Sequence, residues 1–203
     1  MLRYAITDRS YFTGDEAARK SALVEQGEHV GVEGVDFLQL REKDLDAATL
    51  AALARKLLAK FRARALAPKL LINSRADIAA ATGADGVHLT SAAGSLTPAD
   101  VRRVYAEAGL PVPVVSISCH ALSEIARARD LGASLILFGP VFEKVITGDN
   151  LVAQGIGLNL LHLACAAAKP VPVLALGGIT AENTADCLAA GASGIAGIRL
   201  FLN

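Results

Sequence analysis

Residues 172–183 read PVLALGGITAEN, and this stretch decides the fold. An apolar run at 173–176 ends at Gly177 and Gly178, a helical pattern follows, and a second apolar run covers 195–198. Strand, glycine turn, helix, turn and strand in this order make one βαβ unit. The stretch lacks the G-x-G-x-x-G pattern and the downstream acidic residue of a dinucleotide-binding turn. A (β/α)8 barrel is therefore favoured, in which the loops after the last two strands often hold a phosphate; a tight turn without a ligand is the alternative.

The rest of the chain repeats this alternation. Eight short apolar runs are separated by stretches with apolar residues at helical spacing, as at Leu50, Leu53, Leu57 and Leu58. The pattern predicts an α/β fold, a single-domain TIM barrel over residues 1–203, with a parallel sheet covered by helices. Only residues 199–203 follow the eighth run, so the last helix is predicted to be short or missing, and a homodimer is one way to cover the seam. The predicted strands cover 3–7, 37–41, 69–72, 86–89, 114–118, 135–138, 173–176 and 194–198.

The composition argues against several functional classes. The formal net charge is zero and aromatic residues make up 4% of the chain, so neither nucleic acid nor a membrane surface is an expected partner. The apolar runs are too short to span a membrane, and the N-terminus lacks the pattern of a signal peptide. Cys119, Cys165 and Cys187 are far apart and have no metal-binding or redox spacing, which is typical of a cytoplasmic protein.

Polar side chains occur where the second and third predicted strands end. Gln39, Arg41 and Lys43 alternate along the chain and would share one direction if the strand continues. Two cations and an amide suit a polyanionic ligand, and the alternative is a solvated loop with an Arg–Glu pair. Asn73 could donate to and accept from the edge of a heteroaromatic ring, or it or Ser74 could cap the next helix.

The fourth and fifth strands carry the histidines. His88 lies inside an apolar strand, as either a buried core group or a ligand contact. Ser118 and His120 end the fifth strand on one face, where His120 could act as a general acid and base or simply as a capping group. Cys119 would point the other way, which disfavours a Cys–His pair. The longest irregular stretch, 143–157, follows the sixth strand, and a long loop there is expected to be functional.

Several stretches together resemble the thiamine phosphate synthase family, which includes the TenI-like thiazole tautomerases. The resemblance covers nearly the whole chain in order. It is carried by YAITDR at 4–9, QLREK at 39–43, INSRADIAAATGADGVHL at 72–89, VSISCHALSEIARARDLGASLILFGPVF at 115–142 and VPVLALGGITAENTADCLAAGASGIAGI at 171–198.

The resemblance implies both substrates and site residues. A synthase joins an aminopyrimidine pyrophosphate to a thiazole phosphate and releases pyrophosphate. The resemblance implies that Gln39, Arg41 and Lys43 bind the pyrophosphate and that Asn73 contacts the pyrimidine. His88 and Lys144 are expected as further substrate contacts. Ser118 and His120 correspond to the Ser and His after strand five and are the expected catalytic residues. The resemblance also implies that the thiazole phosphate is bound by Gly177, Gly178, Gly197 and Ile198. Arg199, which replaces a small hydroxyl residue, is expected to lie beside this phosphate.

Two departures from the synthase pattern shape the functional prediction. Ser74 replaces an Asp that binds magnesium, and residues 90–94, TSAAG, lack the second acidic ligand. These losses resemble the tautomerase branch, which moves a proton on a thiazole carboxylate phosphate with His120 as acid and base and needs no cofactor. The alternatives are a divergent synthase, which would require Mg²⁺, and a non-catalytic binder of thiazole or thiamine phosphates.

Overall fold

The computed structural model describes residues 1–63, 68–145 and 152–202. Its strands are β1 (Leu2–Ile6), β2 (Phe37–Leu40), β3 (Lys69–Asn73), β4 (Gly86–Thr90), β5 (Val114–Cys119), β6 (Leu135–Phe138), β7 (Lys144–Val145), β8 (Val152–Ala153), β9 (Val173–Leu176) and β10 (Gly194–Gly197). Its α-helices are α1 (Glu16–Val32), α2 (Ala47–Arg62), α3 (Ala76–Thr82), α4 (Pro98–Glu107), α5 (Leu122–Asp130), α6 (Gly157–Ala168) and α7 (Thr184–Ala189).

Eight of the strands close into a parallel barrel in the order β1-β10-β9-β6-β5-β4-β3-β2. The prediction of a TIM barrel is therefore confirmed. β7 and β8 stand apart as a two-stranded antiparallel ribbon, with Lys144 opposite Ala153. The ribbon corrects the prediction of a wholly irregular 143–157 segment, and residues 146–151 within it lie outside the described part of the chain.

Two hydrophobic layers follow from the alternation of side chains along each strand. Outward residues pack with the helices, including the predicted face of Leu50, Leu53, Leu57 and Leu58, all of them buried. Each such side chain contributes about 1.5–3 kcal/mol when removed from water. A separate cluster fills the barrel interior and consists of Tyr4, Ile6, Leu71, Leu135, Leu137, Leu174 and Ala196.

Local hydrogen bonds explain where elements begin and end. Thr97 forms a capping box with Asp100 at the start of α4, as the sequence T-P-A-D favours. β2 ends one residue earlier than predicted because the backbone N–H of Arg41 donates to the Thr7 hydroxyl, 3.0 Å away. α7 begins later than the pattern indicated, since the Asn183 side chain bonds to both sides of the preceding turn.

A 3-10 turn at Arg199–Phe201 follows β10 in place of a full helix, as predicted. Phe201 is buried, and its carbonyl oxygen accepts from Gln26 Nε2 on α1 at 2.9 Å. The Arg3 guanidinium lies 5.4 Å from the centre of the Phe201 ring. The turn therefore packs against β1 and α1. Among the helices described, none has the length and apolar character that crossing a membrane would require.

Candidate active site

The barrel interior has a polar wall and an apolar wall. We use the name polar wall for the inward side chains of β1 to β5 that join one hydrogen-bonded network, and apolar wall for the inward side chains of β6, β9 and β10. The polar wall consists of Tyr4, Gln39, Asn73, His88, Ser116 and Ser118. The apolar wall consists of Leu135, Leu137, Leu174, Leu176 and Ala196. Hydrogen-bonding chemistry in the interior is therefore confined to one side.

Two amide side chains of the polar wall, Gln39 and Asn73, connect the buried interior to the barrel mouth. Gln39 is 1% exposed, and its Nε2 donates to Asn73 Oδ1 at 2.8 Å. The Asn73 amide nitrogen donates one hydrogen to Ser74 Oγ, 3.3 Å away, and its second N–H has no partner among the described residues. α3 has no side-chain cap, and its N-cap residue is Arg75, so the alternative in which Asn73 or Ser74 caps this helix is wrong. Asn73 is instead held at the mouth with a free donor.

His88 lies at the centre of the polar wall with both ring nitrogens engaged. Nδ1 is 2.8 Å from Ser116 Oγ, and Nε2 is 2.8 Å from Ser118 Oγ. Burial lowers the pKa of His88 to about 3, and the nearby Arg41 charge adds to the effect. The imidazole is therefore neutral at physiological pH. Both ring nitrogens are thus occupied by serine hydroxyls of β5, and Ser118 is the one of the two that is partly exposed.

Arg41 and Lys43 lie where the polar wall meets solvent. Both line a cavity of about 330 Å³ between the ends of β1 and β2. Lys43 is exposed, whereas Arg41 is half-buried and close enough to act electrostatically on His88. Glu42 lines the same cavity and pairs with Arg9 at 2.9 Å. This pair is buried and involves Arg9, so it is not the solvated Arg–Glu pair that was the alternative for this loop.

Ser118 and His120 occupy the predicted end of β5. Ser118 is half-buried and bonded to His88, while His120 is exposed and its Nδ1 contacts the carbonyl oxygen of Gly139 at 2.5 Å. A carbonyl only accepts, so Nδ1 carries a proton, and in the neutral tautomer Nε2 is the acceptor. Cys119 packs in the outer layer, where burial raises the pKa of its thiol to about 12. The expectation that Cys119 points away from His120 is confirmed.

The glycine turn after β9 has bare backbone donors. Leu176 pairs with Ala196, which places Gly178 beside Ile198 two residues further along. Within the described residues, no group accepts a hydrogen bond from the backbone N–H of Gly178 or Ile198. Gly177 and Gly178 have φ of +88° and +68°, and a Cβ on Gly178 would lie 2.7 Å from Glu143 O. Only glycine suits this turn.

The remaining predicted residues lie around this turn or outside the description. Gly197 ends β10, and Arg199 is exposed in the 3-10 turn that follows. Lys144 lies in β7, but its side chain is outside the described residues. The barrel order places β9 and β10 across the mouth from β3 and β4. Gly178 and Ile198 therefore face Asn73 and His88 from the opposite side.

Magnesium, which the resemblance implies for a synthase, does not fit the residues at its expected position. Ser74 takes a left-handed conformation with φ of +56°, a strained geometry typical of functional sites, but it offers a hydroxyl where a carboxylate is needed. Asp77 is paired with Arg75, and Glu124 accepts from the His120 N–H and from Ser91. The described residues contain no group of three or more His, Cys, Asp or Glu placed to hold a metal.

Two features of the site were missed by sequence reasoning. Tyr4 is 0% exposed, and its hydroxyl lies 3.0 Å from Ser116 Oγ and 3.3 Å from Gln39 Oε1. Arg9 is held by three carboxylates, those of Glu16, Glu42 and Asp44, so it braces the β1 and β2 loops. The alternation of Leu2, Tyr4 and Ile6 is the one signal for an inward Tyr4, and its partners come from other strands.

Comparison with known proteins gives consistent matches along the chain. Residues 4–201 match the family model described as thiamine monophosphate synthase. A putative thiamine-phosphate synthase of Geobacter sulfurreducens is 41% identical over 98% of this chain and 85% of its own length. A thiamine-phosphate synthase of Thermus thermophilus is 34% identical over 90% and 82%. The solved thiamine phosphate pyrophosphorylase of Pyrococcus furiosus superposes with a TM-score of 0.75 at 26% identity, covering 97% of this chain and 85% of that one.

Proposed function

Because the chain belongs to the thiamine monophosphate synthase family, we propose that it catalyses thiamine-phosphate synthesis. The reaction joins an aminopyrimidine pyrophosphate to a thiazole phosphate and releases pyrophosphate. Support comes from relatives named as synthases at 34–41% identity over most of the chain. The relatives favour the synthase over the tautomerase that the sequence analysis preferred, a preference that rested on missing residues.

One geometric observation carries the proposal. The mouth of the barrel has two chemically different polar ends that face each other, as a reaction between two substrates requires. On one side, Asn73 presents an amide donor, and Arg41 lies close enough to the same wall to act electrostatically on His88. On the other side, Gly178 and Ile198 present backbone N–H groups without partners among the described residues, an arrangement suited to a phosphate. A substrate held at each end would meet its partner over the barrel axis.

Each end has a defined task in this proposal. Arg41 and Lys43 bind the pyrophosphate and stabilise the negative charge that the leaving group carries. Asn73, held by Gln39, orients the pyrimidine ring. The turn at Gly178 holds the thiazole phosphate and so fixes the distance between the reacting rings. Since the protein supplies no carboxylate at Ser74, charge neutralisation falls on these two cations.

A second candidate function, thiazole tautomerisation, is favoured by one specific observation. His120 is exposed at the mouth, and its Nδ1 is committed to Gly139 O, so Nε2 is free to take a proton from a bound thiazole. The phosphate would bind at the same glycine turn. In this reaction Arg41 and Asn73 have no essential part, which separates the two candidates experimentally.

The deciding experiment offers purified protein two substrate mixtures. The first contains thiazole phosphate and aminopyrimidine pyrophosphate and is run in parallel with Mg²⁺ and with a chelator. The second contains thiazole carboxylate phosphate alone. Thiamine phosphate in the first mixture is the expected result. Isomerised thiazole in the second mixture alone would replace the synthase by the tautomerase. Saturable calorimetric binding of thiazole phosphate without any turnover would identify a non-catalytic binder.

Paired variants sharpen this result. For a synthase, Asn73→Ala should raise the KM for the pyrimidine substrate about 10-fold or more, since one hydrogen bond to a fixed donor is lost. His120→Ala should abolish turnover only in a tautomerase. The matched control is His162→Ala, because His162 is also exposed, with its Nδ1 facing a backbone carbonyl oxygen, that of Ala190 at 3.2 Å.

A further inference from the structure

The hydrogen bonds of the polar wall have a single consistent direction. Gln39 donates through Nε2 to Asn73 Oδ1, which leaves Gln39 Oε1 as an acceptor. The Tyr4 hydroxyl donates to this oxygen at 3.3 Å. Burial raises the pKa of Tyr4 above its ordinary value, so the phenol keeps its proton and remains a donor. The same hydroxyl lies 3.0 Å from Ser116 Oγ and 3.4 Å from His88 Nδ1. The described residues offer the buried Gln39 Oε1 no other donor, so the Tyr4 proton is assigned to Gln39 and the Tyr4 oxygen is left as an acceptor.

The hydrogen bonds from Tyr4 to Ser118, at the rim, have the same consistent direction. The Tyr4 oxygen, with its proton used, accepts from the Ser116 hydroxyl 3.0 Å away. Ser116 Oγ must then accept from His88 Nδ1 at 2.8 Å, so Nδ1 carries the hydrogen. A neutral imidazole has one N–H, and His88 Nε2 therefore accepts the proton of the Ser118 hydroxyl at 2.8 Å.

We infer that Tyr4 and Ser116 are positioning residues that hold His88 as the Nδ1–H tautomer and thereby orient the Ser118 hydroxyl toward His88. Both residues are 0% exposed, so neither touches a ligand. Their effect reaches the mouth at two places. Ser118 presents its oxygen lone pairs, because its proton is engaged, and Asn73 presents an N–H donor, because its oxygen is engaged.

This direction sets the kind of ligand edge that the polar wall accepts. A complementary ring edge has a donor facing Ser118 and an acceptor facing Asn73. An amino group next to a ring nitrogen has this pattern, and an oxo group next to a ring N–H has the reverse. The preference for an amino-substituted ring rests on the proposed function, whereas the tautomer of His88 does not.

The test reads the tautomer directly and does not require activity. In ¹⁵N NMR spectra of the labelled protein, we expect His88 to show a protonated Nδ1 and an unprotonated Nε2. Tyr4→Phe removes the acceptor of the Ser116 hydroxyl, which can then donate to His88 Nδ1, so the Nε2–H form should appear. Tyr105→Phe is the matched control, since Tyr105 is a buried tyrosine outside the barrel whose hydroxyl donates to Ala84 O at 3.0 Å.

Ser116→Ala is the second variant, in case Tyr4→Phe does not fold. It removes the nearer acceptor of His88 Nδ1–H and leaves only the Tyr4 oxygen at 3.4 Å, so the share of the Nε2–H form should rise. An Nε2–H tautomer in the unmodified protein, or an unchanged tautomer in both variants, would overturn the inference. If the enzyme is a synthase, both variants should also lower kcat by about 10-fold or more, while Tyr105→Phe leaves it unchanged. The inferred tautomer without thiamine phosphate formation would count against the proposed function alone.

Discussion

The two walls of the barrel interior are built on opposite principles. The apolar wall, from Leu135 to Ala196, gains stability from volume, and any well-fitting hydrophobic residue could serve there. The polar wall, with His88 at its centre, is stable only while every donor has an acceptor. The comparison teaches that apolar packing is concentrated on the side of the Gly177–Gly178 turn, and hydrogen-bonding groups on the side of Asn73.

The largest effect is expected on the apolar wall. Leu137 is 0% exposed, and Leu137→Ala should lower the free energy of unfolding by about 2–5 kcal/mol because a cavity remains. Leu163→Ala on α6 is the control, since Leu163 is 52% exposed and should change little. Urea denaturation at pH 7 measures both. A loss below about 1 kcal/mol for Leu137→Ala would mean that this wall is not tightly packed.

The next effect should appear on the polar wall and be non-additive. Ser116→Ala leaves Tyr4 and His88 without a shared partner and should cost about 1–3 kcal/mol. Tyr4→Phe should cost a similar amount, and the double variant less than the sum, because both changes break one network. A double-mutant cycle on unfolding free energies measures the coupling. Additive losses would show that the bonds act independently.

Acid should weaken the protein through the polar wall. The pKa of His88 is about 3 in the folded state and about 6.5 in the unfolded chain. Above pH ~6.5 both states are neutral at this residue, and below it only the unfolded chain takes up the proton, so stability falls toward pH ~3 by at most about 1.4 kcal/mol per pH unit.

Urea denaturation midpoints measured between pH 7.5 and 5 check this loss of stability. Acidic groups titrate at lower pH and contribute little in this range; the pKa of Asp44, for example, is lowered to about 2 by Arg9. His88→Gln should be less stable at pH 7.5 but flatter with pH. An equal pH slope in the two proteins would contradict the assignment of a neutral, buried His88.

The smallest stability effect is expected at the rim of the polar wall. Ser118 is half-buried, so Ser118→Ala should change the unfolding free energy by only about 0.5 kcal/mol, since water can replace its bond to His88. Under the proposed function, turnover should nevertheless fall, because the oriented hydroxyl faces the substrate. Equal losses of unfolding free energy for Ser118→Ala and Ser116→Ala would contradict the expectation that hydrogen bonds at the rim contribute less to stability than those in the interior.

Much of the fold was predictable because local chemistry and tertiary structure agree. The apolar runs became the eight barrel strands within about a residue or two, and Thr97 caps α4 as its sequence indicates. The β7–β8 ribbon was missed because two-residue strands leave no periodic pattern. β2 stopped early because the Thr7 hydroxyl, thirty-four positions away, takes the N–H of Arg41.

The candidate site also has features that one strand predicts and features that depend on several strands. Alternation along single strands placed Gln39 and Ser118 inward and Cys119 outward, since a strand alone determines which side chains share a face. The ambiguity at His88 between core and ligand contact could not be resolved from one strand. Its partners come from β5, and the charge that acts on it comes from the segment after β2.

By itself, the sequence determined the alternation of strands and helices, the two-glycine turn that only glycine can form, and the loss of the two carboxylates. These are properties of neighbouring residues or of single side chains. Only the tertiary structure decided that Tyr4, Gln39, Asn73, His88, Ser116 and Ser118 share one directed network. The physical reason is that hydrogen bonds have a direction and a reach of about 3 Å, so they exist only after barrel closure brings five strands together.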